Sequence, residues 1–363
     1  MMKAKLQIKN FGPIKDIDIE ISKFNILIGP HASGKSTISK VLCVIHAFAD
    51  YFSPGYRPFR EKFLSDEVNT ENGKFKLLIE LLNFYRIEKY LTKTSFYIFE
   101  DDHFSFKFDG TGVEVNHKEK QRANRSPNYY IPAERIALPM ISESLFEITL
   151  EQSTLPRYFL QFGRDFTIAR NEQNIFNIPL LNIEFEHKDG KNVVNLRNSQ
   201  SLLLEETSSA IQANLPLLII LQYPVKKASM FVIEELELHG FPNLQKELLP
   251  YVIKKMRQGS LANGYLMLPT HSPYILSIAN NLLFAAKVGK QSSSIETEAN
   301  KIIKKESWID EGELSAYYIK NGKADSILDN KTGLIYENQL DGISEDLAGE
   351  FDALMDLYKP AIA

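Results

Sequence analysis

The chain has 363 residues, 44% of them hydrophobic and 24% charged, with a formal net charge of −4. That length builds one large domain or two modest ones with sizeable cores, and the charge balance excludes the broad basic footprint of a general nucleic-acid binder, leaving room only for a local patch. One cysteine, Cys43, excludes an internal disulfide and a cysteine-rich metal site. The longest apolar runs, such as LPLLIIL (215–221), fall far short of the ~20 residues of a membrane-spanning helix. The opening MMKAKLQIKN has no signal-like apolar core after its lysines, so a reducing, cytoplasmic setting is expected.

In chain order, LQIKNFGPIKDIDIE (6–20) reads as two strands broken at Gly12-Pro13. KFNILIG (23–29) is an apolar strand, and STISKVLCVIHAFADYF (36–52) spaces its apolar residues as a helix does. Residues 51–128 are mixed and polar and are expected to form an inserted α/β region. Within it KTSFYIFEDDHFSFKFDG (93–110) is strand-like, and the basic NHKEKQRANRSPN (116–128) reads as a solvated loop. NYYIPAERIALP (128–139) reads as a further buried strand. Residues 136–203 suggest a helical and hairpin subdomain turning at Asp189-Gly190. A helix is expected over 204–224 and a strand over SMFVIEE (229–235); LANGYLMLPTHSPYILSIANN (261–281) reads strand, loop, helix. The segment 300–363 is expected to be accessory, with a hairpin in SAYYIKNGKADSILD (315–329) and an amphipathic helix in SEDLAGEFDALMDLY (344–358). Strands alternating with helices predict an α/β fold, one domain over residues 1–363.

Three stretches carry chemistry. Gly29-Pro30-His31-Ala32-Ser33-Gly34-Lys35-Ser36, followed by Thr37, satisfies G-x-x-x-x-G-K-[ST] between a strand and a helix. Its glycines let backbone N–H groups curl around phosphate oxygens at a helix N-terminus. Lys35 is expected to reach the β- and γ-phosphates of ATP, and Ser36 to offer its hydroxyl to Mg²⁺. The chain is therefore expected to be a P-loop NTPase with ATP and Mg²⁺ as cofactors.

MFVIEE (230–235) delivers two carboxylates at the end of a buried strand, where ligands bind in open α/β sheets. Strand alternation places them on opposite faces, so Glu234 is expected in the metal shell and Glu235 as the general base for the attacking water. Third, Leu268-Pro269-Thr270-His271-Ser272-Pro273 follows an apolar strand and precedes a helix. His271 there is placed to contact a γ-phosphate and hold that water.

GPHASGKST, FVIEELELHGFP and PTHSP, in this order, resemble the ABC-type ATPase heads of the SMC and OLD (overcoming lysogenization defect) group of AAA ATPases. LQIKNFGPIKDIDIEI resembles their opening strands, and YYIPAERI is similar to a segment of their stand-alone bacterial members. The resemblance implies an ABC/SMC-type head with a mixed sheet, flanking helices and the insertion noted above. Glu234, Glu235, Leu236 and Glu237 fill the places of the family's Asp-Glu-Pro-Glu, with His239 and Pro242 in the turn beyond. The family's signature, which docks on the ATP of a second subunit, has its candidate in Thr207-Ser208-Ser209-Ala210-Ile211-Gln212. Ser208, Ser209 and Gln212 are its contact candidates, and read without the family the serines are simply N-caps. Three positions depart from the pattern: Glu234 for Asp, Ala210 for Gly and His31 for Asn. Hydrolysis is still expected, with the first two departures bearing on its rate. Glu134 is a weak candidate for the Mg²⁺-contacting glutamine of relatives.

Residues 136–206 have no heptad pattern for SMC arms. The acids after His271 (Asp310, Glu311, Asp325 and Asp329) lack the glycine-flanked strand context of a Toprim nuclease and read as solvated surface. The resemblance thus implies a stand-alone, homodimeric or higher-order ATP-driven switch. Its setting would be bacterial anti-phage defence beside a separate effector protein, a nuclease or toxin. The alternatives are an ATP-bound scaffold that turns over slowly or not at all, and a DNA-repair or DNA-end ATPase.

Overall fold

The computed structural model describes residues 3–52, 70–118, 128–141, 155–198, 200–223, 230–260, 264–336 and 349–355. The basic run 119–127 and most of the helix expected over 344–358 lie outside them.

β1 (Ala4–Phe11) and β2 (Ile14–Ile21) form the expected hairpin, closing at Phe11↔Ile14. In β2 the isoleucines Ile17, Ile19 and Ile21 point inward while the charges between them face water, the period-two pattern of a half-buried strand. β3 (Phe24–Ile28) follows, and then α1 (Lys35–Tyr51) and α2 (Glu71–Phe84). Next come β4 (Phe96–Glu100), β5 (Phe104–Phe108) and β6 (Val113–His117). These strands come from the region set apart above as an insertion, yet they extend the N-terminal hairpin into one antiparallel sheet, β2-β1-β4-β5-β6. Alternate aromatics bind them to it: Tyr97, Phe99, Phe104, Phe106 and Phe108 are all buried.

The second sheet carries the P-loop. Its order is β15-β14-β3-β13-β12-β7, built from β7 (Tyr129–Ile131), β12 (Met230–Ile233), β13 (Tyr265–Thr270), β14 (Leu314–Lys320) and β15 (Lys323–Ser326). All its pairings are parallel except the β14–β15 hairpin. β12 and β13 are buried at every residue, as strands covered on both faces must be, and α1 packs on both. β14 belongs to the segment set apart as accessory, but it lies directly beside β3 in register Leu314↔Phe24. Its hairpin turns at Asn321 (φ 54°) and Gly322 (φ 77°), an Asn-Gly pair suited to a type I′ turn. The Gly322 carbonyl accepts from Lys15 N and Asp16 N at 3.0 and 3.1 Å, joining the two sheets.

The third sheet is antiparallel, β11-β10-β9-β8, from β8 (Ile175–Ile178), β9 (Ile183–Lys188), β10 (Lys191–Leu196) and β11 (Ser201–Leu203). It turns at Asp189-Gly190 and is flanked by α3 (Arg157–Glu172) and α4 (Ser209–Gln222). The single helix expected over 204–224 is a 3-10 turn at Leu204–Glu206 followed by α4. Thr207 and Ser208 are extended, with ψ of 174° and 153°, and break the two apart. α5 (Pro242–Lys255), α6 (Pro273–Gly289) and α7 (Ser293–Ile302) complete the chain order. α5 and α6 begin on proline, whose missing N–H costs nothing at a first turn. Among the described residues no helix is long and apolar enough to cross a membrane.

Candidate nucleotide site

β3 ends at Ile28 and α1 begins at Lys35. The loop between them bends through positive φ at Gly29 (151°), Ala32 (57°) and Gly34 (109°). Glycine is required at 29 for space as well: a Cβ there would lie 2.2 Å from the Ile319 carbonyl oxygen on β14. Lys35 Nζ folds back onto the carbonyls of Gly29 and Pro30 at 2.7 and 2.8 Å. Burial lowers its pKa to about 8, against the pull of Glu235 and Glu237. Pro30, His31 and Ala32 are exposed, Ser36 is half-buried and Thr37 is buried. Ser33 Oγ is buried with no hydrogen-bond partner among the described residues.

β12 closes at Ile233, one residue before the acids. Alternation along the strand therefore does not separate Glu234 from Glu235; a left-handed backbone at Glu235 (φ 45°) does. Glu234 N donates to Ile131 O and Glu235 N to Pro269 O, tying the turn to both neighbouring strands. The Glu234 carboxylate is buried and accepts from Ala133 N at 3.3 Å, on the β7 side. Glu235 turns toward His271, with Oε1 3.7 Å from Nε2. Burial raises its pKa, and the neighbouring charges of Glu237 and Glu234 raise it further. His271 sits in tilted ring contact with His31, centroids 4.0 Å apart. Burial, then Lys35 and His31, lower its pKa.

Two residues given no role in the sequence hold this arrangement. Glu237 Oε1 accepts from Thr270 Oγ1 (2.7 Å), His271 N (2.9 Å) and Ser272 N (3.1 Å), so one carboxylate oxygen fixes the loop that carries His271. Arg135 is fully buried and donates to the carbonyls of Ala213, Pro132, Glu234 and Glu235. Burial lowers its pKa to about 10, opposed by the three glutamates of the turn. A third acid in EELE and an arginine beside Glu134 were the only local signals. Glu134 itself accepts from Tyr158 Oη at 3.3 Å.

Of the signature candidates, Ser208 and Ser209 are exposed at the start of α4, and Ser208 makes no side-chain cap. Gln212 is buried, its amide donating to the carbonyls of Glu205 and Thr207. It braces the turn before the helix and presents no donor outward. Of the later acids, Asp310 pairs with Lys290 and Asp329 caps Lys331 N and Thr332 N. An apolar-walled cavity of about 280 Å³ lies at the far end of α1, lined by Tyr51, Tyr85 and Tyr158 among others, and includes no P-loop residue.

The residues fit a nucleotide's phosphates: a loop curled through positive φ, a Ser33 hydroxyl with no partner among the described residues, and a lysine whose Nζ donates to two backbone carbonyls. Among the described residues no three His, Cys, Asp or Glu side chains group as a metal site; Mg²⁺ arriving on a nucleotide needs only one or two protein ligands. P-loop, acidic turn and Thr-His-Ser turn stand on adjacent strands of one largely parallel sheet, an arrangement suited to a P-loop nucleotide site.

Residues 2–130 match the AAA ATPase domain family. Among solved structures the chain is similar to the SMC head domain from Thermotoga maritima, at 12% identity and a TM-score of 0.42, over 90% of this chain and 98% of that one. It is also similar to the Smc head domain with an extended coiled coil from Pyrococcus furiosus, bound to the C-terminal domain of ScpA (11%, TM-score 0.41, 90% and 96%). A third is the recombination mediator protein RecF-ATPrS of the RecFOR pathway (11%, TM-score 0.40, 90% and 98%). No curated protein sequence matches the chain.

Proposed function

We propose that this chain binds MgATP and hydrolyses it in a head-to-head pair, the opening and closing of the pair being its output. The observation that carries this reading is the convergence of Lys35, Glu235 and His271 at the mouth of the P-loop. Ser208 and Ser209 stand apart, exposed at the start of α4, suited to a nucleotide held by a second copy. ATP with its Mg²⁺ would supply the γ-phosphoryl group and neutralise its charge. Lys35 would exchange its backbone carbonyls for phosphate oxygens, with Ser36 and Glu234 serving the metal. Glu235, its pKa raised toward the working range, would take the proton of the attacking water, and neutral His271 would orient it.

The setting we propose is bacterial anti-phage defence, with a separate effector protein. It rests on the resemblance of GPHASGKST, FVIEELELHGFP and PTHSP to stand-alone ATPases of that kind. A slowly hydrolysing scaffold is the second reading, favoured by Glu234, whose carboxylate is engaged at Ala133 N. Phosphate release measured across protein concentration separates the two. Specific activity that rises with concentration supports the paired ATPase; tight ATP binding without turnover at any concentration supports the scaffold.

A further inference from the structure

We infer that Arg135 and Asn214 are positioning residues that join α4 to the catalytic turn, so that a contact made at the exposed start of α4 reaches Glu235 of the same chain. The inference rests on the paired-head reading above and adds to it the route between the two halves of the site.

The geometry is a double grip. Arg135 Nε donates to the Ala213 carbonyl at 3.0 Å, while its two Nη atoms donate to the Glu234 and Glu235 carbonyls, each at 2.6 Å. Asn214 is fully buried, and its Nδ2 donates to Ala210 O at 2.9 Å and to Leu238 O at 3.2 Å. Ala210 and Ala213 stand in the turn of helix directly behind Ser208 and Ser209. Glu235 and Leu238 begin and continue the turn that holds the proposed base, and the Leu238 N–H closes back on the Glu235 carbonyl. From there Glu237 carries the connection to His271.

Two features mark these contacts as a coupling and not as ordinary packing. A buried guanidinium is costly to desolvate, and here that cost is met by carbonyls of separate segments, Pro132, Ala213 and Glu234-Glu235. Only a planar fork spans three segments at once. Asn214 Oδ1 is buried with no partner among the described residues, a cost the amide carries although its nitrogen alone makes the bridge. Residues 212–221 of α4 are all buried, so the helix is held along its length, and these two side chains tie its first turns to the catalytic turn.

Coupling is tested by a double-mutant cycle on the full chain. Ser209→Glu places an anion where a partner's phosphate would arrive; Asn214→Ala and Arg135→Lys each cut one grip. Asn214→Ala and Arg135→Lys are each expected to bind a fluorescent ATP analogue within about 2-fold of wild type, and all three single variants to lose about 10- to 100-fold in kcat, for the two grip variants the cost of a base misplaced by about 1 Å. Ser209→Glu combined with Asn214→Ala should fall no more than about 2-fold below the worse single variant. Losses that multiply fully would overturn the inference. Hydrogen exchange of the amides of residues 235–240 needs no turnover, so it decides the matter even if wild type fails to hydrolyse ATP. Faster exchange in Asn214→Ala and Arg135→Lys supports the link, and unchanged exchange in both removes it.

Discussion

His31 and His271 lie ring against ring, centroids 4.0 Å apart and planes inclined by 32°, with Glu235 3.7 Å beyond the second ring. One histidine comes from the P-loop and the other from the turn after β13. The contact therefore closes the phosphate loop onto the element that would face a γ-phosphate. Burial, Lys35 and His31 together disfavour a proton on His271. Its ring is neutral at pH 7 and gains a proton only as pH falls below the ordinary 6.5. Replacing His31→Asn removes one ionisable cation, so the His271 midpoint, followed by the NMR titration of its ring protons, should move up toward 6.5. A midpoint that stays or falls contradicts this.

Lys35 gives the second pH dependence, at the other end of the scale. Its pKa is held down at about 8 by burial, so without nucleotide it loses charge as pH rises through 8. Phosphate favours the ammonium, and binding above pH 8 must therefore take up a proton. Affinity for a fluorescent ATP analogue should weaken from pH 7 to pH 9, and Lys35→Ala should bind poorly and show no such slope.

Glu237 is predicted to be a stability residue as well as a positioning one. Glu237→Ala leaves the N–H of His271 without an acceptor and weakens the hold on Thr270 and Ser272. The expected loss is about 1–3 kcal/mol in urea unfolding. Glu237→Gln keeps an accepting oxygen and loses only the charge assistance, so it should cost less.

Two glycines with positive φ should respond differently to alanine. At Gly29 the new Cβ would meet backbone, the Ile319 carbonyl, at 2.2 Å; at Gly190 it would meet nothing within 4 Å. Gly190→Ala should cost about 1 kcal/mol of backbone strain alone. Gly29→Ala adds overpacking and should cost about 2 kcal/mol or more beyond that, readable as a larger drop in thermal midpoint.

The sequence foretold what is local. MFVI and YLML are apolar without interruption, FNILI is apolar but for Asn25, and all three became the buried strands around the P-loop. Asp189-Gly190 and Asn321-Gly322 became hairpin turns because those residues tolerate positive φ. What it did not foretell depends on partners distant along the chain. β14 pairs with β3 across nearly the whole sequence, and no local pattern encodes that choice. Arg135 and Glu237 act on carbonyls and amides of other segments, so their side-chain identities alone gave no role. Gln212 looked outward from its place in a motif, but its amide satisfies two carbonyls of the preceding turn. The left-handed turn at Glu235 was also hidden, since glutamate has no preference for it.

The central claim is that Glu235 serves as base in a site completed by a second copy. Glu235→Gln keeps the shape of the side chain and removes its basicity. Its ATP-dependent assembly, measured by light scattering coupled to size exclusion, tests the claim most directly. The expected result is ATP binding equal to wild type, hydrolysis lower by about 100-fold or more, and accumulation of a dimer or larger assembly when MgATP is present. A variant that hydrolyses normally, or that stays monomeric with ATP bound, would contradict it.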